Sequence, residues 1–163
     1  MADKSAFTPE EWDLILVSPM LAGLAVTLAD PSGIFGTLKE GFAGASALLT
    51  AKKDAGANAI AKAIAADFET PEGRTVARDG IKADLKGKTP AEMKAQALEG
   101  LRQVNAILAA KAPDDAPGFR AWLKDIARNA AEASFEGGFL GFGGVKVSDA
   151  EKATLAELDS ALS

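Results

Sequence analysis

Three kinds of side chain in this sequence could do chemistry: carboxylates, lysine amines and hydroxyls. The 163 residues include 23 Asp and Glu and 18 Lys and Arg, but no His and no Cys. The lack of His removes the usual general base near neutral pH and the commonest metal ligand, and the lack of Cys removes thiolate nucleophiles and disulfides. Catalysis would then need a buried carboxylate or lysine with a shifted pKa. Because the sequence singles out no such residue, we expect a protein that is not an enzyme.

Asp30 is the carboxylate with the most unusual surroundings. It directly follows residues 14–29, which carry no charge, and it precedes Pro31-Ser32-Gly33. A turn that ends a helix accounts for this position, since Asp and Pro both favour turns. The EF-hand pattern of calcium-binding loops is absent, and the Glu-x-x-His pattern of helical di-iron sites cannot occur without His.

Two glycine–aromatic segments follow helices that are rich in small residues. The first is Gly33-Ile34-Phe35-Gly36, and the second is Gly138-Phe139-Leu140-Gly141, which continues to Phe142. One interpretation is structural, with glycines ending a helix and aromatic rings filling the turn. The other is a docking surface formed by Phe139, Leu140 and Phe142, for another protein or for a second copy of the chain. The likeness of the two segments also suggests two related helical halves.

A basic ridge is predicted on one helix, where Arg74, Arg78, Lys82 and Lys86 recur every four residues. Such a ridge could contact an acidic partner. A solvated helix face, partly neutralised by nearby aspartates, is the simpler interpretation.

The elements that would position these residues are all helices. Capping boxes begin helices at Thr8-Pro9-Glu10-Glu11, Thr89-Pro90-Ala91-Glu92 and Ser148-Asp149-Ala150-Glu151, while Ser18-Pro19 and Thr70-Pro71 mark two further starts. Apolar residues recur at helical spacing after each start, and no segment alternates like a strand. These signals predict helices near residues 9–17, 19–29, 33–53, 57–68, 71–86, 90–111, 117–136 and 149–162. We expect an all-α, compact, single-domain bundle of seven or eight helices, with two related helical halves as one arrangement of them.

The charge of the chain limits its partners. The formal net charge is −5 and the pI is about 4.8, so phosphate backbones would repel the chain and we expect no nucleic-acid partner. The uncharged residues 14–29 are fewer than the ~20 needed to span a bilayer and include Pro19, which indicates a buried core helix and no membrane span. The first residues lack the basic and apolar regions of a signal peptide, and we expect a cytoplasmic protein.

Two segments resemble the tellurite-resistance TerB-like family. They are Ala29-Asp30-Pro31-Ser32-Gly33 and Gly143-Gly144-Val145-Lys146-Val147-Ser148-Asp149-Ala150-Glu151. Domains of that family are all-helical, and an Ala-Asp-Gly turn precedes a Val-Ser-x-x-Glu helix start. The resemblance implies a bundle of two related halves that is linked to bacterial stress responses and membrane-linked complexes, without enzymatic activity, and it implies a divalent metal at acidic turn residues. Ser148 and Glu151 match the helix start and Asp30 matches the first turn, whereas Gly143 stands where the second turn acid would be.

We therefore predict a non-enzymatic protein of the stress-associated or protein-interaction class, whose partner is another protein or a second copy. Its interaction residues would be Phe139, Leu140 and Phe142, with Arg74, Arg78, Lys82 and Lys86 of the ridge. The alternative is a TerB-like protein that binds a divalent cation through Asp30, Glu40, Asp149 and Glu151, with Glu136 brought near by the fold. Oxygen ligands of this kind suit Ca²⁺, Mg²⁺ or Mn²⁺, and we expect no other cofactor.

Overall fold

The structure, a computed structural model, describes residues 2–29, 58–136 and 147–163, without the side chains of residues 133–136. All regular structure in these ranges is helical. A short 3₁₀ helix at Lys4–Ala6 precedes six α-helices: α1 Pro9–Thr27, α2 Ala59–Glu69, α3 Pro71–Leu85, α4 Pro90–Lys111, α5 Ala116–Glu136 and α6 Asp149–Ala161. The predicted all-α class is confirmed.

Helix α1 lies at the centre of the bundle. It packs against each of the other five helices, and buried residues lie on all of its sides between Trp12 and Val26. A helix that is apolar all round is a core helix, as predicted for residues 14–29. Side chains from all six helices join one large hydrophobic cluster around it. Across the described ranges, no helix combines the length and the apolar character that crossing a membrane requires.

The prediction that one helix ends at residue 17 and another begins at residue 19 is wrong. Pro19 lies inside α1, although it lacks the N–H that would bond the carbonyl of Ile15 four residues earlier. The buried hydroxyl of Ser18 donates to that carbonyl at 2.7 Å, so no acceptor is left without a partner. The described ranges consequently hold six α-helices where the sequence predicted seven, and the helix predicted for residues 33–53 lies outside them.

The predicted helix starts are confirmed at the other four caps. Thr8, Thr89 and Ser148 each form a complete capping box, and the Thr70 hydroxyl accepts from the Gly73 amide. Helix α2 has a cap that the sequence analysis missed. The Asn58 carboxamide oxygen accepts from two amides of the first turn, and its Nδ2 donates to the Asp115 carbonyl at 2.8 Å. This contact fixes the start of α2 against the turn between α4 and α5.

Candidate interaction surface

The four residues of the basic ridge lie together on α3 and are all exposed, and Lys86 is the C-cap residue of that helix. Arg74 is engaged, because its Nη1 donates to the carbonyls of Phe68 at 3.0 Å and Glu69 at 2.8 Å. Those carbonyls end α2 and would otherwise depend on solvent. Arg74 therefore ties the end of α2 to α3, which is a structural role that the spacing of the ridge did not predict.

The remaining three residues of the ridge differ in how they are paired. Arg78 forms an ion pair with Asp79, 3.1 Å long, whose side chains are 71% and 62% exposed. Surface pairs of this kind contribute little to stability. Lys82 and Lys86 form no ion pair with any residue in the described parts of the chain. Their ammonium groups are the part of the ridge that stays available to a partner.

An open groove of about 450 Å³ lies beside the ridge, between α1 and α3, and we call it the α1–α3 groove. Leu14, Val17 and Val76 give it an apolar lining. Gly80 also lines the groove, and a Cβ at that position would lie 3.4 Å from Val17 Cγ1, so α3 approaches the side chains of α1 closely there. The groove therefore presents hydrocarbon to solvent next to lysines that form no ion pair with a described residue.

Three aspartates border the α1–α3 groove: Asp13 from α1, and Asp79 and Asp84 from α3. Asp13 is exposed and Asp84 is half-buried. Neither carboxylate forms an ion pair with a residue in the described ranges, whereas Asp79 pairs with Arg78. The groove is thus acidic along its edge and apolar along its floor, and its charge is opposite to that of the adjoining ridge.

A second polar cluster joins the N-terminal segment to α2. Asp67 Oδ2 accepts from Lys4 Nζ at 2.6 Å and from the indole Nε1 of Trp12 at 2.7 Å. The Lys4 ammonium also lies 5.7 Å from the centre of the Trp12 ring, and the centre of the Phe7 ring lies 5.9 Å from that of Trp12. Asp67 therefore joins the N-terminal segment and α1 to α2. Sequence reasoning missed Asp67 because its partners lie more than fifty residues away.

The acids predicted to bind a cation are only partly within the described residues. Asp149 is exposed and lies 3.5 Å from Lys152, while Oε2 of the buried Glu151 accepts from the Ser148 amide at 2.7 Å as part of a capping box. Among the described residues, no group of three or more acids could hold a metal ion. Asp30 and Glu40 lie outside those residues, as does the side chain of Glu136, so the cation site stays a prediction.

The glycine–aromatic segments also fall outside the described residues. Phe139, Leu140 and Phe142 lie in residues 137–146, and the matching segment around Phe35 lies in residues 30–57. The docking surface predicted there stays a prediction. The described part of the predicted interaction surface is the ridge on α3.

Among the described residues, the carboxylates with a lowered pKa lie at helix caps. The pKa of Glu11 lies below its ordinary value, mainly because of the hydrogen bond from the Lys111 ammonium and next because of the one from the Thr8 amide. The Thr89 amide and hydroxyl do the same for the pKa of Glu92, and the Ser5 hydroxyl and amide lower the pKa of Asp3. All three shifts have structural causes, since each carboxylate accepts hydrogen bonds at the start of a helix.

The chain was compared with protein-family models, with curated proteins and with solved structures, and none of them matches it. The resemblance to TerB-like domains consequently stays a prediction. The ridge and the α1–α3 groove are the features of the described residues that bear on its function.

Proposed function

We propose that this chain is a non-enzymatic protein-interaction domain that binds an acidic surface of a partner protein through the basic ridge of α3. The observation that carries the proposal is that Lys82 and Lys86 are available to bind a partner. Both are exposed and unpaired within the described residues, although the chain as a whole has an excess of acids. Charges arranged in this way raise the rate of encounter with a complementary partner and select its orientation.

A protein partner suits this surface better than a nucleic acid does. The aspartates at the edge of the α1–α3 groove, together with the net charge of −5, would repel a phosphate backbone. The apolar floor, with Leu14 and Val76 half-buried, offers contact to side chains of another protein. Protein interfaces combine an apolar centre with a charged rim in the same way.

The resemblance to TerB-like domains supports placing this interaction in a bacterial stress response. That family is all-helical, as the described ranges of this chain are. The biological setting and the cytoplasmic location are part of the proposal.

A labelled peptide of consecutive glutamates is a suitable probe of the ridge. We expect fluorescence anisotropy to show salt-sensitive binding to the wild type, weakened about tenfold or more by Lys82→Glu with Lys86→Glu. The matched control is Arg102→Glu with Arg128→Glu, which makes the same change of charge at exposed arginines that already pair with Glu99 and Asp125. Binding should survive in that control. Equal loss in both variants would show that net charge alone matters, and the proposal would be wrong.

A further inference from the structure

We propose that the acidic surface bound by the ridge belongs to a second copy of this chain. In the resulting symmetric dimer, Lys82 and Lys86 of each copy lie over the α1–α3 groove of the other. This inference rests on the proposed function and names the partner of the same surface.

Charge complementarity within one copy supports this choice of partner. A twofold-symmetric interface uses the same patch on both copies, so the patch must be complementary to itself. The outer surface of α3 meets that requirement, since Lys82 and Lys86 lie beside a groove with Asp13 and Asp84, and none of the four forms an ion pair with another described residue. A partner with one sign of charge would satisfy only half of this surface.

The positions on α3 allow the two charged regions to meet. Helical spacing places Arg74 about 180° around α3 from Ala83, which lines the groove, with Lys82 between them. A twofold axis parallel to α3 sets the Arg74 side of one copy against the groove side of the other. Lys82 and Asp79, three residues apart, then lie near their counterparts at almost the same height along the paired helices.

The apolar floor of the groove adds contact beyond charge. Leu14 and Val76 are half-buried in the single chain and leave hydrocarbon exposed. The four-carbon stem of a lysine from the second copy can cover such a surface while its ammonium group reaches a carboxylate at the edge. The floor and the edge of the groove therefore suit the same side chain.

A charge-swap experiment tests the dimer. One variant carries Lys82→Glu with Lys86→Glu, and the other carries Asp13→Lys with Asp79→Lys. Each variant alone should be monomeric in sedimentation equilibrium, with a dimer dissociation constant at least about tenfold above that of the wild type. An equimolar mixture should dimerise again, because each altered ridge then meets a groove of opposite charge. Arg102→Glu with Arg128→Glu should leave the dimer intact.

A second measurement uses only the wild-type chain, so it does not depend on the folding of variants. Equal amounts of isotopically light and heavy protein are mixed and treated with a zero-length carbodiimide, which joins lysines to carboxylates in contact. We expect cross-links between light and heavy chains that join Lys82 or Lys86 to Asp13, Asp79 or Asp84.

The outcomes separate this inference from the proposed function. A wild type that stays monomeric at millimolar concentration, or a mixture of the swapped variants that fails to dimerise, overturns the dimer. If the polyglutamate probe still depends on Lys82 and Lys86 in that case, the proposed function stands and the partner is a different acidic protein. Cross-links between copies that avoid α3 would place the dimer elsewhere and overturn the inference as well.

Discussion

At the scale of single residues, Ser18 makes a proline compatible with the core of α1. Its hydroxyl donates to the Ile15 carbonyl, to which Pro19 cannot donate because it has no backbone N–H. Ser18 itself is fully buried. We expect Ser18→Ala to lower the free energy of unfolding by about 1–3 kcal/mol, because it leaves a buried carbonyl without a donor. Urea denaturation of the two proteins measures this difference.

The control for this prediction is a double-mutant cycle. In a Pro19→Ala background the backbone N–H returns, so Ser18→Ala should cost clearly less there than in the wild type. Thr27→Val removes another hydroxyl of α1, which donates to the Gly23 carbonyl four residues earlier, and should change stability by less than about 0.5 kcal/mol. Equal costs of Ser18→Ala in both backgrounds would contradict the proposed role of the hydroxyl.

Asp67 is a second residue whose hydrogen-bond partners determine how much it contributes to stability. Asp67→Ala leaves the Trp12 indole N–H, on a side chain only 2% exposed, without its acceptor. We expect a loss of about 1–3 kcal/mol in the free energy of unfolding. Lys4→Ala removes an exposed donor to the same carboxylate and an exposed contact with the Trp12 ring, and it should cost less than about 1 kcal/mol. Chemical denaturation separates the two, and a larger effect at Lys4 would contradict this account.

At the scale of helices, a glycine can mark where one helix packs closely against a side chain of its neighbour. In α4, a Cβ at Gly100 would lie 2.8 Å from Leu21 Cδ1 of α1, whereas a Cβ at Gly23 would meet no atom of the described residues within 4 Å. We expect Gly100→Ala to destabilise the protein by about 1–3 kcal/mol, because the buried Leu21 side chain would have to shift within a packed core. Gly23→Ala should stabilise it by about 0.5–1 kcal/mol, since alanine is the better helix former. Thermal melts measure both, and the same sign of change for both would contradict the packing of α1 on α4.

Local signals predicted helix starts well because a capping box involves residues only three apart. Thr8, Thr89 and Ser148 cap the helices that their sequences predicted. Ser18-Pro19 has the same local pattern as Thr70-Pro71, yet α1 continues through it because burial in the core outweighs the cost of one backbone hydrogen bond. Burial is a property of the whole fold, and a pattern of neighbouring residues does not report it.

At the candidate interaction surface, too, local spacing predicted some features and contacts between helices determined the others. The four-residue spacing predicted that Arg74, Arg78, Lys82 and Lys86 share one exposed side of a helix, and they do. The role of Arg74 at the end of α2 and the groove between α1 and α3 arise from contacts between helices. Asp13 and Asp79 are 66 positions apart in sequence, and no spacing rule brings them to one groove.

At the scale of the whole molecule, carboxylates tie the ends of helices together. Glu11 Oε2, in the first turn of α1, accepts from Lys111 Nζ at 2.5 Å in the last turn of α4, and it also accepts from the Thr8 amide at 2.7 Å. These contacts favour the ionised form, so the pKa of Glu11 is lower in the folded chain than its ordinary value of 4.5. The pKa of Glu92, at the start of α4, is lowered in the same direction by hydrogen bonds from Thr89.

A carboxylate whose pKa is lower in the folded than in the unfolded chain stabilises the fold. This stabilisation is fully present above the pKa of the unfolded chain and is lost as the pH falls through the pKa of the folded chain. We expect the melting temperature to drop as the pH is lowered from the ordinary glutamate value of 4.5. Glu11→Gln should melt below the wild type at neutral pH, and the gap should close once acid protonates Glu11 in the folded chain. Glu10→Gln is the matched control, because Glu10 is exposed in the same turn and has no partner among the described residues. A gap for Glu11→Gln that persists unchanged in acid would show that the Lys111 contact does not stabilise the ionised carboxylate.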